Sequence, residues 1–369
     1  MTYVTQPFMP PLAEFMPYLE AIWRNRWLTN AGPFHEELEA ELADYLDVPH
    51  VALVANGTIA LILALRALDL AGEVITTPFS FVATSQAIEW NNLVPVFADI
   101  DPATCNLDPD AIEAAITPRT AAILPVHCFG RPCDVDRIQE IADRHGLPVI
   151  YDAAHGFGVR TRGTGLLRYG DMSTLSFHAT KVFNTFEGGA ITCTTAAARQ
   201  RLASLRNFGF TGHTTVSTTG MNGKMSEVQA AFGLLQLRHI NEAIARRGEV
   251  SAFYRRALGD VRGITMLAPP EDVELNHSYF PVLVDDDYPM SRDALHARLE
   301  ARGIGTRRYF YPLICDMPAY RDMPAAQAAL PHARRIGDQV LCLPIFPDIS
   351  EVSLAITVDT IRACAAARG

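Results

Sequence analysis

The chain has 369 residues, 49% hydrophobic and 20% charged, with a formal net charge of −10. That composition suits a globular protein large enough for two domains. The acidic balance excludes a general nucleic-acid or anionic-membrane binder, which needs a basic surface, but leaves room for an anionic small substrate held by a local cluster of donors.

No uninterrupted apolar run approaches a membrane span. The N-terminus, "MTYVTQPFMPPLAEF", lacks the cationic start and apolar core of a signal peptide. The seven cysteines (Cys105, Cys128, Cys133, Cys193, Cys315, Cys342, Cys364) show no CxxC spacing. A cytoplasmic chain with free buried thiols and no metal site is expected.

From about residue 50 short apolar runs alternate with helical patterns. "HVALVANGT" predicts a strand closed by a glycine turn, and "IALILALRALDL" a helix. "EVITTP" reads as a strand, "VATSQAIEWNN" as a helix, and "VPVFADID" and "TAAILPVH" as strands. "DVDRIQEIADRHG" is an amphipathic helix ending in glycine. "LPVIYDAAH", "DMSTLSFHA" and "GGAITCTT" predict three more strands. The alternation implies an α/β fold, with a mostly parallel central sheet flanked by helices and ligands at the carboxyl ends of its strands. From Met225 the pattern changes to a long helical region, then "SYFPVLVDDD", the helix "SRDALHARLEARG", "IGTRRYFYPL", the strand "VLCLPIF" and a closing helix. We place a large domain at 1–245 and a smaller C-terminal α+β domain at 246–369, the boundary lying inside the long helix.

Several polar residues stand at strand ends. Asp152 directly follows "LPVIY", and the small residues after it leave room for a flat ligand; aspartate also ends strands as a simple turn residue. Asn56-Gly57-Thr58 closes a strand and opens a helix, where glycine permits close approach and free N–H groups can meet a phosphate; an ordinary helix cap is the commoner meaning. Ser176 ends "STLSF" and could donate to the same phosphate. Lysine is rare in this chain, yet Lys181 stands beyond that strand and before Gly188-Gly189. Most lysines are surface charges, but one held at this place loses hydration, which favours the neutral amine and nucleophilic chemistry. A lysine able to bond an aldehyde, an aspartate able to face a ring nitrogen and phosphate donors at a helix start are what pyridoxal 5'-phosphate requires. Phe81 in "TPFSFVATS" could stack on its ring.

The motifs "ILPVHCFGRPCDVDRI", "VIYDAAHGFG", "SFHATK", "EGGAI" and "NGKMSEVQAAFGLLQL", in that order, resemble those of the DegT–StrS nucleotide-sugar aminotransferases among fold-type I pyridoxal-phosphate enzymes. The likeness runs nearly end to end. It implies that Lys181 carries the cofactor and shuttles protons, that Asp152 faces the pyridine nitrogen and that His155 lies near the phenolic oxygen. It further implies that Ser176, Gly57 and Thr58 hold the phosphate and that Phe81 covers the ring face. Asn222 matches an asparagine that reaches the phosphate of the neighbouring subunit, which implies a homodimer with shared sites.

The chain departs from the family's common pattern at Phe186, where "GEGG" often begins, and at Phe208, where a histidine often stands. "VTQPFMPPL", "WLTNAGP" and "HATKVFNTFEGGAI" are similar to enzymes that use L-glutamate to aminate carbon 4 of dTDP-4-keto-6-deoxyglucose, with amination at carbon 3 of an isomeric keto sugar as the competing reading. Thr29, Asn30, Asn184, Arg308, Tyr309 and Tyr311 are candidates for the nucleotide-sugar site, or else ordinary loop polarity. A non-catalytic regulatory protein of the same fold would not need Lys181, Asp152 and the phosphate donors together.

Overall fold

The computed structural model describes residues 1–324 and 328–366 of the chain. Two helices, α1 (Leu12–Asn25) and α2 (Pro33–Tyr45), precede the first strand, β1 (His50–Val54). The Asn56 side chain then accepts a hydrogen bond from the Ile59 amide and starts α3 (Gly57–Ala67). Alternation continues through β2 (Glu73–Thr76), α4 (Ala83–Trp90), β3 (Val94–Phe97), α5 (Pro109–Ala115), β4 (Thr120–Ile123), α6 (Val135–His145) and β5 (Ile150–Asp152). Asp108 and Asp134 cap α5 and α6 through their side chains, and Gly146 closes α6 in the left-handed region at φ 64°. The short strands β6 (Arg160–Thr161) and β7 (Thr164–Gly165) lead to β8 (Met172–Ser176), β9 (Gly189–Cys193) and α7 (Ala196–Leu205).

Strands β3, β2 and β4 are mutually parallel, as are β5 and β8. Parallel bridges Ile123–Val149 and Val126–Asp152 join β4 to β5. The resulting order is β3-β2-β4-β5-β8-β9-β1, mostly parallel as the alternation predicts. β9 is reversed, pairing antiparallel with both β8 and β1. The segment between β8 and β9 contains no helix, and without a crossover a strand cannot return parallel to its neighbour. All the other strands therefore end on one edge, and β9 begins there.

Next comes the long helix α8 (Glu227–Leu258), opened by a capping box between Ser226 and Gln229. The remaining elements are β10 (Ile264–Met266), β11 (Val273–Glu274), β12 (Phe280–Val284), α9 (Arg292–Ala301), α10 (Pro331–Gln339), β13 (Val340–Leu343) and α11 (Glu351–Ala366). β11 joins β6 and β7 in a small antiparallel sheet, while β10, β12 and β13 form another. Residue 245 lies within α8. Ala230, Leu234 and Ile240 pack with Leu38 and Leu42 of α2, whereas Val250, Tyr254 and Leu258 pack with β12, β13 and α11. The first residues of the chain belong to the C-terminal packing: Thr2 bridges Ile304, and the Ile345 amide donates to the Val4 carbonyl. All seven cysteines are buried and unpaired. No helix among the described residues is long and apolar enough to cross a membrane.

The N-terminus of α2 has no side-chain cap of its own. Glu227, 2% exposed, takes that role from α8: its two carboxylate oxygens accept the Phe34 and His35 amides at 3.0 and 2.9 Å. Gly32 makes room for it, since a Cβ there would lie 2.6 Å from Glu227 Cδ. Glu227→Ala strands two amides in a dry interface and is expected to destabilise the protein by about 3 kcal/mol. Urea denaturation at fixed protein concentration checks this; an unchanged midpoint means the amides find other acceptors.

Candidate active site

The strand ends enclose a cavity of about 650 Å³. Its floor is built from β5 and β8. Asp152 closes β5, and Ser176 closes β8 opposite the first turn of α3. A Cβ on Gly57 would lie 2.8 Å from the Ser176 Cβ, so only glycine lets the helix start and the strand end come together. Among the described residues no acceptor meets the Gly57 or Thr58 amide, which leaves two N–H groups at a helix N-terminus for an anion. The double glycine serves the same edge: a Cβ on Gly189 would lie 2.6 Å from the Asn56 carbonyl carbon, and one on Gly188 would collide with Thr185.

Lys181 projects from the loop after β8 into the cavity, and no carboxylate pairs with it among the described residues. Burial lowers its pKa to about 8, opposed by attraction to Asp152. Burial raises the pKa of Asp152, while hydrogen bonds from the Thr84 hydroxyl and the Ala154 amide, and then the charge of Lys181, pull it back. His155 is buried against Phe310, its ring nearly parallel to that ring at 6.2 Å, and meets the Tyr279 ring at 4.8 Å. Desolvation, with the nearby Lys181 charge, holds it neutral. Its Nδ1 accepts the Phe129 amide at 3.3 Å, so the proton sits on Nε2 and that nitrogen is a donor. Phe81, 61% exposed, forms part of the cavity wall. Tyr309 stands edge-on to Tyr279 at 5.3 Å. Gly57, Thr58, Phe81, Asp152, His155, Ser176, Lys181 and Tyr309 are thus brought together.

Arg308 does not line the cavity. Its guanidinium pairs with Asp293 at 3.0 Å and lies over the Tyr311 ring at 5.4 Å, outside the cavity. Arg307 lines the cavity instead. An antiparallel bridge to Cys342 holds this stretch extended, so adjacent side chains point to opposite sides. Tyr311 likewise lies outside, 42% exposed between Arg292 and Arg308. Asn184 does not line the cavity either: the loop folds back, with the Thr185 amide donating to the Phe177 carbonyl, and Asn184 is buried beneath it with Oδ1 facing the Phe186 amide. Thr29, Asn30 and Asn222 are exposed and do not line the cavity. Asn30 and Asn222 belong to a separate cluster: Lys224 donates to Asn30 Oδ1 at 2.7 Å and to Asn207 Oδ1 at 3.1 Å, and Asn207 bridges Asn222.

Sequence reasoning missed Ser80, Thr84, His178, Glu187 and Tyr279, and took Arg308 rather than its neighbour Arg307. His178 and Glu187 sit inside quoted motifs and face each other at 3.6 Å across the cavity wall. Tyr279 arrives from the C-terminal part of the chain, and no local pattern marks it.

The chain is 51% identical over 360 residues, 98% of each protein, to a dTDP-4-amino-4,6-dideoxy-D-glucose transaminase of Shigella dysenteriae. It is 34% identical, over 90% of its length and 87% of the relative, to a dTDP-3-amino-3,4,6-trideoxy-alpha-D-glucose transaminase of Streptomyces venezuelae. The structure of DesI in the presence of its TDP-sugar product superposes with a TM-score of 0.94 at 39% identity, covering 99% of this chain and 93% of that one. The DegT/DnrJ/EryC1/StrS aminotransferase family model matches residues 12–362, and the chain belongs to that family.

Proposed function

We propose that the protein transfers an amino group from L-glutamate to carbon 4 of a dTDP-4-keto-6-deoxy hexose, giving a dTDP-4-amino-4,6-dideoxy sugar, with pyridoxal 5'-phosphate as cofactor. The observation that carries this reading is the 51% identity over 98% of the chain to a 4-transaminase, against 34% to a 3-transaminase. The cavity residues fit the cofactor. Gly57 and Thr58 offer two unpaired amides, Ser176 a hydroxyl, Asp152 a buried carboxylate and His155 a neutral Nε2–H donor.

When bound, pyridoxal phosphate supplies an electron sink next to the carbon that gains or loses nitrogen. Asp152 would hold the ring nitrogen protonated, and the His155 Nε2–H would donate to the phenolic oxygen. The α3 amides and Ser176 would anchor the phosphate, and Phe81 and the aromatic wall would cover the ring. Lys181 would bond the cofactor's aldehyde carbon, and burial, which lowers its pKa to about 8, favours an amine that would both accept and donate a proton at Nζ. One cavity would serve glutamate and the keto sugar in turn, because the cofactor could carry the amino group from the first to the second. Arg307 has no ion-pair partner among the described residues, so it is the fixed cation left for an anionic substrate.

The chain holds two lysines, Lys181 and Lys224. Borohydride treatment of the holoenzyme should therefore fix cofactor on Lys181 and not on Lys224, as read by peptide mapping. Lys181→Ala should fold, retain no fixed cofactor and lose turnover. Normal turnover by that variant overturns the assignment.

The position of amination is checked by supplying glutamate with either the 4-keto or the 3-keto isomer and locating the new C–N bond by NMR. Turnover confined to the 4-keto isomer is expected. Turnover confined to the 3-keto isomer moves the reading to carbon 3.

We also propose a homodimer in which Asn222 serves the partner's cofactor phosphate. Its exposure outside the chain's own cavity supports this, as do the nearby exposed aromatics Trp27, Phe186 and Phe208. Mixing Asn222→Ala chains with Lys181→Ala chains places both lesions in one site of the mixed dimer and neither in the other. Activity should return on mixing. Chain exchange without recovery overturns sharing through Asn222.

A further inference from the structure

Behind the carboxylate of Asp152 lies a short chain of hydroxyls. Thr84, in the first turn of α4, is wholly buried, and its hydroxyl donates to Asp152 Oδ2 at 2.8 Å. The Thr84 oxygen lies 2.8 Å from Ser80 Oγ. A hydroxyl has a single hydrogen. Since that of Thr84 is committed to the carboxylate, Ser80 is the donor in the second bond. The chain runs from Ser80, which is part of the cavity wall, through Thr84, which is behind it, to Asp152. The other carboxylate oxygen accepts the Ala154 amide at 3.1 Å. Each oxygen therefore has one neutral donor from the protein and keeps a lone pair free for a further partner.

We propose that Thr84, backed by Ser80, is a positioning residue that fixes the orientation and the anionic form of Asp152 for its contact with the cofactor's ring nitrogen. The inference rests on the cofactor reading above. Burial favours the neutral acid of Asp152, and among the groups that oppose it the Thr84 hydroxyl ranks ahead of the Ala154 amide and Lys181. A protonated carboxyl cannot stabilise a protonated ring nitrogen, so losing the hydroxyl weakens the electron sink without touching substrate. Two hydrogen bonds in series also polarise one another, so Ser80 strengthens the donor that Thr84 presents. Around this carboxyl the other titratable groups are Lys181 from the loop after β8, His155 from the turn after β5 and the Cys128 thiol from the segment after β4.

The test compares wild type, Thr84→Val, Thr84→Ser and Ser80→Ala, each loaded with pyridoxal phosphate. Four quantities are read: the pH titration of the bound cofactor's absorption, the cofactor dissociation constant, kcat and the KM for glutamate. Thr84→Val should shift the spectral titration, weaken cofactor binding and lower kcat by roughly 10- to 100-fold, the worth of one hydrogen bond to a charged group. KM for glutamate should stay within about twofold, because Thr84 touches no substrate. Thr84→Ser, which keeps the hydroxyl, should restore the wild-type titration. Ser80→Ala should shift it in the same direction as Thr84→Val, but less, and keeps the inference testable if the valine variant fails to fold. A wild-type spectrum and kcat in Thr84→Val, or a shift that Thr84→Ser does not reverse, overturns the positioning role and leaves the cofactor assignment intact. A wild-type protein that takes up no coloured cofactor overturns the cofactor reading itself.

Discussion

An amine and a carboxyl group share one cavity at the edge of the sheet without forming an ion pair. Lys181 and Asp152 are both removed from water, and desolvation pushes each toward its neutral form. In Lys181 this is useful as it stands, because a neutral amine is a nucleophile and a base. In Asp152 it is partly offset by neutral donors: the Thr84 hydroxyl, the Ala154 amide and Ser80 behind Thr84. A direct ion pair would have held both groups charged and left no free amine.

That arrangement depends on how closely the strand ends approach. Gly57 against Ser176, Gly189 against Asn56 and Gly188 against Thr185 are contacts that no side chain tolerates. They draw α3, β8 and β9 together so that unpaired amides, a hydroxyl and the Lys181 loop reach one space. The opposite wall comes from the C-terminal part of the chain. Phe79, which precedes α4, packs edge-on to Phe310 at 5.6 Å, and Phe310 stacks with His155. The "TRRYFYPL" stretch thereby packs directly against the cavity wall.

The two departures from the family pattern share a physical feature. Phe186 and Phe208 both sit in the left-handed region, at φ 64° and 58°. Such a backbone costs a non-glycine residue about 1–2 kcal/mol. At Phe186 the cost is offset by stacking on Phe232 at 4.3 Å, and at Phe208 the ring lies 5.3 Å from the Lys224 ammonium. Phe186 meets α8 near its start, and Phe208 stands over the Lys224 cluster. At Phe186 an aromatic stands where the glycine of the common pattern would carry the left-handed backbone without that cost.

Much of this molecule was readable in its sequence. Period and punctuation marked the seven strands of the central sheet and the helices α3, α4, α6, α8, α9 and α11, because a buried parallel strand is a short apolar run and a covering helix repeats at 3.6 residues. The helices α5, α7 and α10 and the short strands β6, β7, β10 and β11 went unmarked. Residues that end strands, such as Asp152 and Ser176, were legible because parallel strands deliver their ends to a single edge. The reversed direction of β9 was not legible, since a strand's apolar pattern is the same in either direction. Nor could periodicity choose between Arg307 and Arg308: two adjacent arginines are chemically identical, and only the bridge to Cys342 decides which one faces the cavity. Thr84, Ser80, Tyr279 and the true place of Asn184 belong to the same class. Their roles arise from contacts between segments distant in the chain or hidden behind the first layer of the site, and such contacts exist only once the backbone has closed.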